Sequence, residues 1–332
     1  MTLFPFRPPS IGLSIGARSL SLVEIRQDWG RGRQGVGLRP CSERVLPDGL
    51  VRLSASAPNV SDVAALAREI RALLGGRRPV SVALTLPDLC SRIALFDFEA
   101  LPSKTAERET LLRWRFQKDF NVPAANLRLS YQVFRTTPPR VLAVVVRNNI
   151  IGQYEQACEE AGLLPVSVGL PSLRLFDLCR PAMQAAIAAG VNELFFLHVA
   201  EGSFSFFALR DRCPIFLRTK LLHNGHSSDL STLADEVLAT LQFYGDSYPL
   251  AQDGLPAALR PLFVIGAPPS CEVLDPGTAE LMRITVMPME WDDFPVSRNG
   301  QSRTLPDACS LSGLPALAGV LEDIGIVQNI LV

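Results

Sequence analysis

The sequence predicts an α/β protein built from two copies of one unit that face each other across a cleft. Two observations carry this expectation. Residues 11–25, IGLSIGARSLSLVEI, align without a gap with residues 195–209, FFLHVAEGSFSFFAL. Each stretch is then followed by the same series of strands and helices, the sign of an internal repeat rather than of one continuous sheet. A third observation modifies the first two: a separate-looking block of strands and helices, at about 88–163, interrupts the first series. The expected division is 1–190 for the first domain with its insertion and 191–332 for the second. With 332 residues, 48% of them apolar, the chain is long enough to fill the cores of two medium domains.

The elements follow in order. Residues 11–16 and 20–25 run apolar around a Gly-Ala-Arg-Ser turn, the pattern of a β-hairpin. A third strand is expected within 34–46. A helix follows over 59–76, with Asn59 or Ser61 as its cap, apolar residues at helical spacing and Gly75-Gly76 as its stop. PVSVALTLP (79–87) reads as a buried strand. In the insertion, SRIALFDFEALP is extended, KTAERETLLRWRFQKDF is an amphipathic helix, and LRLSYQVF and RVLAVVVR are strands. NNIIGQYEQACEEAGL is a helix ending at Gly162. A strand at 165–169 and a helix from Ser172 close the first series. After the second hairpin come a strand at 213–219, a helix at 227–249, a strand from 261 into a Gly turn, a helix near 275–282 and a strand at 283–288. A final helix at 313–324 completes the second copy.

Composition excludes several classes. The net charge is −1, so no global field draws nucleic acid or anionic lipid. Only three of the 32 basic residues are lysines, which reads as codon usage before function, and RQDWGRGR (26–33) reads as a solvated turn. The seven cysteines are scattered and form no CxxC pair, which argues for a reducing compartment and against a structural zinc site. The N-terminus lacks a secretory pattern, and no apolar run approaches the roughly 18–20 residues that cross a bilayer. The tail GVLEDIGIVQNILV carries no basic residue to bind lipid. The expected location is the cytoplasm, with contact to a membrane only through a partner.

The order of elements resembles the actin-like (RNase H-like) ATPase superfamily and, more closely, the PilM-like family of type IV pilus assembly proteins. It is also similar to the cytoplasmic part of the secretion protein GspL and to MshI. IGLSIGARSLSLVEI stands where that family has a pattern close to lGIDIGsssvKlvEl. LLRWRFQKDFNVPAANLRLSYQVF, RVLAVVVRNNIIGQYEQACEEAGLLPVSVGLPSLRLFDL and LADEVLATLQFYGDSYP resemble its later passages in the same order. The resemblance implies duplicated actin-like domains facing a cleft and an inserted subdomain of the FtsA/PilM type. It also implies a site where two hairpins close on nucleotide phosphates.

At that site the sequence departs from the pattern. The acid positions are Ser14 and His198, the lysine position is Ser21, and one close-approach glycine is Ala200. Magnesium wants anionic oxygen, which neither serine nor neutral imidazole supplies. The residues carried over as a vestigial cofactor site are Ser14, Gly16, Arg18, Ser19, His198, Glu201, Gly202, Ser203 and Gly266. No cofactor, no metal site and no catalytic residue is expected, and ATP is the ligand the resemblance would allow. HNGH (223–226) lacks a third and fourth ligand, and EWDDF (290–294) reads as a solvated turn. Neither GxSxG nor GxxxxGK[ST] occurs.

Two functions follow. One is a cytoplasmic scaffold of a type IV pilus or type II secretion platform that holds the short tail of a PilN-like bitopic membrane protein, with self-association left open. The other is an atypical ATP-binding phosphotransferase of the actin and sugar-kinase superfamily. For the first, the groove is expected between the first domain and the insertion. Its walls would be near 85–96 and 141–146, with the helix from Lys104 beside it.

Overall fold

In the computed structural model, residues 9–30, 33–38, 41–76, 80–222, 230–249, 259–267, 271–290, 294 and 311–323 are described. The stretches 223–226 and 291–293 lie outside them, as does Cys309.

The first hairpin is β1 (Ile11–Ile15) and β2 (Ser19–Gly30). The single strand expected within 34–46 is two, β3 (Arg33–Leu38) and β4 (Ser42–Val45). Both pair with the long β2, β3 on its outer half and β4 on its inner half. Helix α1 (Val63–Leu74) is capped by Asp62, one residue past Ser61 and three past Asn59, whose carboxylate accepts from the Ala65 N–H at 2.9 Å; Gly75 closes it in the left-handed region. Asn59 is instead buried, its amide donating to Cys90 Sγ at 2.9 Å. Strand β5 (Val80–Thr85) lies parallel to β1 and leads into a 3-10 turn at Asp88–Cys90.

The insertion follows as β6 (Arg92–Asp97), α2 (Thr105–Phe120), β7 (Leu127–Phe134) and β8 (Arg140–Arg147). Its strands form a separate sheet in the order β6-β8-β7. Phe96, Leu112, Phe116, Val141, Ala143 and Val145 make its own core under α2. Helix α3 (Asn148–Glu160) belongs elsewhere: Ile150, Ile151, Tyr154, Ala157 and Cys158 share the core of the first sheet with Leu13, Leu66 and Ile70. The independent packing unit therefore runs over β6 to β8, a narrower span than 88–163. Strand β9 (Leu163–Gly169) ends the first sheet, whose order is β3-β2-β1-β5-β9, and α4 (Pro171–Leu178) and α5 (Arg180–Ala188) follow.

The second sheet repeats this plan. Strands β10 (Glu193–Ala200), β11 (Ser203–Arg210) and β12 (Cys213–Leu221) form the meander, and α6 (Leu230–Ser247) crosses to β13 (Arg260–Ile265). Helix α7 (Pro276–Leu281) leads to β14 (Ile284–Pro288), giving the order β12-β11-β10-β13-β14. The registers of the two hairpins correspond: Ser14 faces Ser21, and His198 faces Ser205. The gapless sequence alignment is thus also a structural one.

The last helix, α8 (Leu314–Asp323), does not lie on the second copy alone. It packs on β1, β5 and α4. Leu314, Leu317 and Val320 join Val23 and Ala83 of the first sheet, Leu175 and Phe176 of α4, and Phe196, Phe207 and Phe263 of the second in one buried cluster. Both sheets therefore rest on α4 and α8, and the two hairpin turns are brought to one cleft. Arg174 ties this layer together. Its buried guanidinium donates to the Leu84 carbonyl at 2.7 Å, to Thr85 Oγ1 at 2.6 Å, to Ser167 Oγ at 3.1 Å and to Glu322 at 3.0 Å.

Candidate functional site

Between the hairpins lies a cavity of about 220 Å³. Ser14, Gly16, Ser19, His198, Glu201, Ser203 and Gly266 line it, so seven of the nine carried-over residues meet there. The other two stand beside it. Arg18 turns its side chain to solvent, while its backbone N–H points at the opposite hairpin. Gly202 holds the second turn with φ +70°, and its carbonyl accepts from the Leu222 N–H at 2.8 Å. Gly266 is required twice over: its φ is +84°, and a β-carbon there would lie 2.2 Å from the Val199 carbonyl oxygen.

Polarity in the cleft comes from hydroxyls, two carboxylates and the His198 imidazole. No lysine or arginine is among the described residues that line it. Glu201 reaches across to the first hairpin, accepting the Arg18 backbone N–H at 2.8 Å and the Ser19 hydroxyl. Gly16 leaves it room, since a β-carbon at residue 16 would lie 2.7 Å from Glu201 Oε2. Deeper in, Asp88 is buried. One of its oxygens accepts the Ser172 hydroxyl at 2.8 Å, and the other accepts the Ser205 hydroxyl at 2.7 Å. His198 Nδ1 stands 3.6 Å from Asp88 Oδ2, buried and without a hydrogen bond. Ser21 meets Ser312 at 3.1 Å, and the Thr85 hydroxyl donates to the Pro315 carbonyl at 3.1 Å. The approach to α8 thus forms part of the floor.

The sequence reading missed Asp88 altogether. A signal for it exists: an acid just beyond an apolar parallel strand sits at the carboxyl end of the sheet, where open α/β sheets bind ligands. It also gave Glu201 no specific part. A metal-free polyphosphate here would meet two carboxylates and, among the described lining residues, no lysine or arginine, an unfavourable pairing of like charges. Among the described residues no cluster of three metal-ligating side chains occurs.

A second cavity, of about 610 Å³, lies between the insertion and the first sheet. Strand β8 divides its residues by the two-residue period of a strand. Val141, Ala143 and Val145 fill the insertion's core, while Leu142, Val144 and Val146 face this groove. Residues 128–132 of β7 and 165–169 of β9 supply the sides, with Ile151 and Leu173 from α3 and α4. Both β7 and β9 are end strands of their sheets. Of the residues expected as groove walls, Leu86, Cys90, Leu142, Val144 and Val146 line this cavity; α2 contributes no lining residue, and β9 supplies one side instead.

No family model matches the chain, and no curated protein matches it. Solved structures do. A PilM–PilN type IV pilus biogenesis complex matches 96% of this chain and 99% of that one at 20% identity, with a TM-score of 0.69. A Bacteroides thetaiotaomicron protein of actin-like ATPase fold and unknown function matches 86% of this chain and 94% of that one, at 9% identity and a TM-score of 0.50. The cytoplasmic domain of EpsL, an inner membrane component of the Vibrio cholerae type II secretion system, covers 97% of each at 9% identity and a TM-score of 0.45. The chain has the actin-like ATPase fold.

Proposed function

We propose that the chain is a cytoplasmic scaffold of a type IV pilus or type II secretion inner-membrane platform, which holds the short tail of a PilN-like bitopic protein. Its two actin-like halves are taken as 1–190 and 191–332. The observation that carries the reading is the groove between the insertion and the first sheet. It is apolar on its floor and flanked by two end strands, the setting in which an extended peptide adds main-chain hydrogen bonds and seats alternate side chains. The fold shared with a PilM–PilN complex supports the same occupant. Contact with the membrane would then run through the partner; among the described residues no helix is long and apolar enough to cross one.

Hydrolysis of ATP is not part of this proposal. The hairpins carry Ser14 and His198 at the acid positions and Ser21 at the lysine position, and Glu201 turns negative charge toward the phosphate side of the cleft. A phosphotransferase would need a free base. Asp88 is an acid in the right region, yet its two oxygens are committed to Ser172 and Ser205.

The test is calorimetric titration of the full chain with a synthetic peptide of the partner's cytoplasmic tail. Val144→Arg places a long cation on the groove floor while leaving the insertion's core untouched. It should weaken binding at least about tenfold, near 1.4 kcal/mol. Equal affinity of Val144→Arg and the wild type would place the tail elsewhere.

A further inference from the structure

We propose that Glu201 acts as an internal oxyanion ligand: it fills an anion seat on the first hairpin and thereby latches the two hairpins together. The seat has two donors and a gap. The Arg18 backbone N–H donates to one carboxylate oxygen at 2.8 Å, and the Ser19 hydroxyl donates to the other. Gly16 supplies the gap, because any side chain at that position would occupy the space of the carboxylate. The donors are fixed in place by the hairpin itself, whose turn is closed by the Gly16 N–H on the Ser19 carbonyl at 2.8 Å. A backbone N–H and a hydroxyl converging at a glycine-opened turn is a preorganised site for negatively charged oxygen.

The occupant comes from 183 residues along the chain, at the head of the opposite turn. This is more than a surface ion pair. Arg18 gives Glu201 its main chain, not its guanidinium, so the contact reads backbone geometry and would survive replacement of the arginine. Each carboxylate oxygen takes one donor, as two oxygens of a phosphate would. The seat is therefore competent for an oxyanion and is closed to one from outside. A phosphate approaching it would have to displace Glu201 and then sit beside the displaced charge. The latch adds a third tie to the shared core and the Asp88–Ser205 bond across a cleft whose described lining holds no lysine or arginine. The proposal does not rest on tail binding, since Glu201 lies in the hairpin cleft and not in the groove beside β9.

Two readouts on the full chain test it. The first is amide exchange at Arg18 in the wild type, Glu201→Gln and Glu201→Ala. Loss of a charge-assisted hydrogen bond should cost the Arg18 amide about tenfold of its protection in Glu201→Ala, and less in Glu201→Gln, which keeps an acceptor. The second is the melting temperature in inorganic phosphate against chloride at matched ionic strength. Phosphate should stabilise Glu201→Ala but neither the wild type nor Glu201→Ala combined with Ser19→Ala, which lacks the seat's hydroxyl. If Glu201→Ala does not fold, Glu201→Gln carries both measurements, with phosphate stabilising it more than the wild type. Unchanged Arg18 protection in the variants would overturn the latch. Phosphate stabilising the wild type as much as the variants, or stabilising none of them, would overturn the seat.

Discussion

At Gly12, the second residue of β1, a β-carbon would lie 2.0 Å from the Ala316 carbonyl oxygen and 2.8 Å from Val320 Cγ2. The obstacle is the backbone of α8, which cannot swing aside as a side-chain tip could. Gly12→Val should therefore lift α8 from the sheet and destabilise the protein by about 3 kcal/mol. Denaturant unfolding measures this, and a loss under half a kilocalorie would show that α8 docks more loosely than described. Two thiols make a second residue-scale prediction. Burial pushes Cys90 up to about 12, against the lowering effect of its hydrogen bonds with Tyr154 and Asn59, and burial pushes Cys158 up to about 12 as well. Each thiol is neutral when protonated, and its folded value lies above the value of about 8.5 in an unfolded chain. The unfolded state therefore loses these protons first as pH rises. The contribution of the two thiols is complete below about pH 8.5 and declines between there and 12. The urea midpoint should accordingly fall over that window, and less steeply in Cys90→Ala/Cys158→Ala. Parallel slopes for the two proteins would contradict the assignment. Half-buried Cys41 and Cys271 should alkylate at neutral pH well before Cys90 and Cys158.

Strand β8 shows what an element adds to its residues. Its alternation gives Ala143 to the insertion's core and Val144 to the groove. Ala143→Asp buries an unpaired carboxylate and should unfold the insertion, seen as lost protection of β6 and β7 in hydrogen exchange. Val144→Arg should leave that protection intact. Similar damage from both would mean that the face toward the groove is core as well. The run VLAVVV was legible as a strand from its β-branched residues, yet its division between two surfaces was not. A continuous apolar run carries no polar residue to mark which face meets solvent. The hairpins were legible in register because glycine-flanked alternation is local, and their Ser14/Ser21 and His198/Ser205 pairings follow from it. The docking of α8 on the first sheet was not legible, because an apolar helix does not say which sheet it covers. Gly12 was the available hint, since glycine inside a strand often marks close approach of another backbone. The cleft's population was half legible: Ser14 and His198 were expected there, whereas Asp88 and the reach of Glu201 depend on how the two copies face each other.

At the scale of the molecule, one cluster joins the inner faces of both sheets through α4 and α8. Opening the cleft widely would bare Phe176, Phe196 and Phe207, whose rings touch one another. The two halves should thus unfold together. Scanning calorimetry should give a single transition for both sheets, with a van't Hoff enthalpy close to the calorimetric one. Two transitions resolved between the β1 sheet and the β10 sheet would refute a shared core. The return of α8 to the first sheet also has a consequence for synthesis. Strand β1 leaves the ribosome well before the helix that covers it, which is encoded about 300 residues later. At about 5–20 residues per second, the inner face of the first sheet stays bare for roughly 15–60 s on a chain still being translated. Its final cover arrives only when α8 itself emerges, and until then the nascent first sheet is open to chaperones.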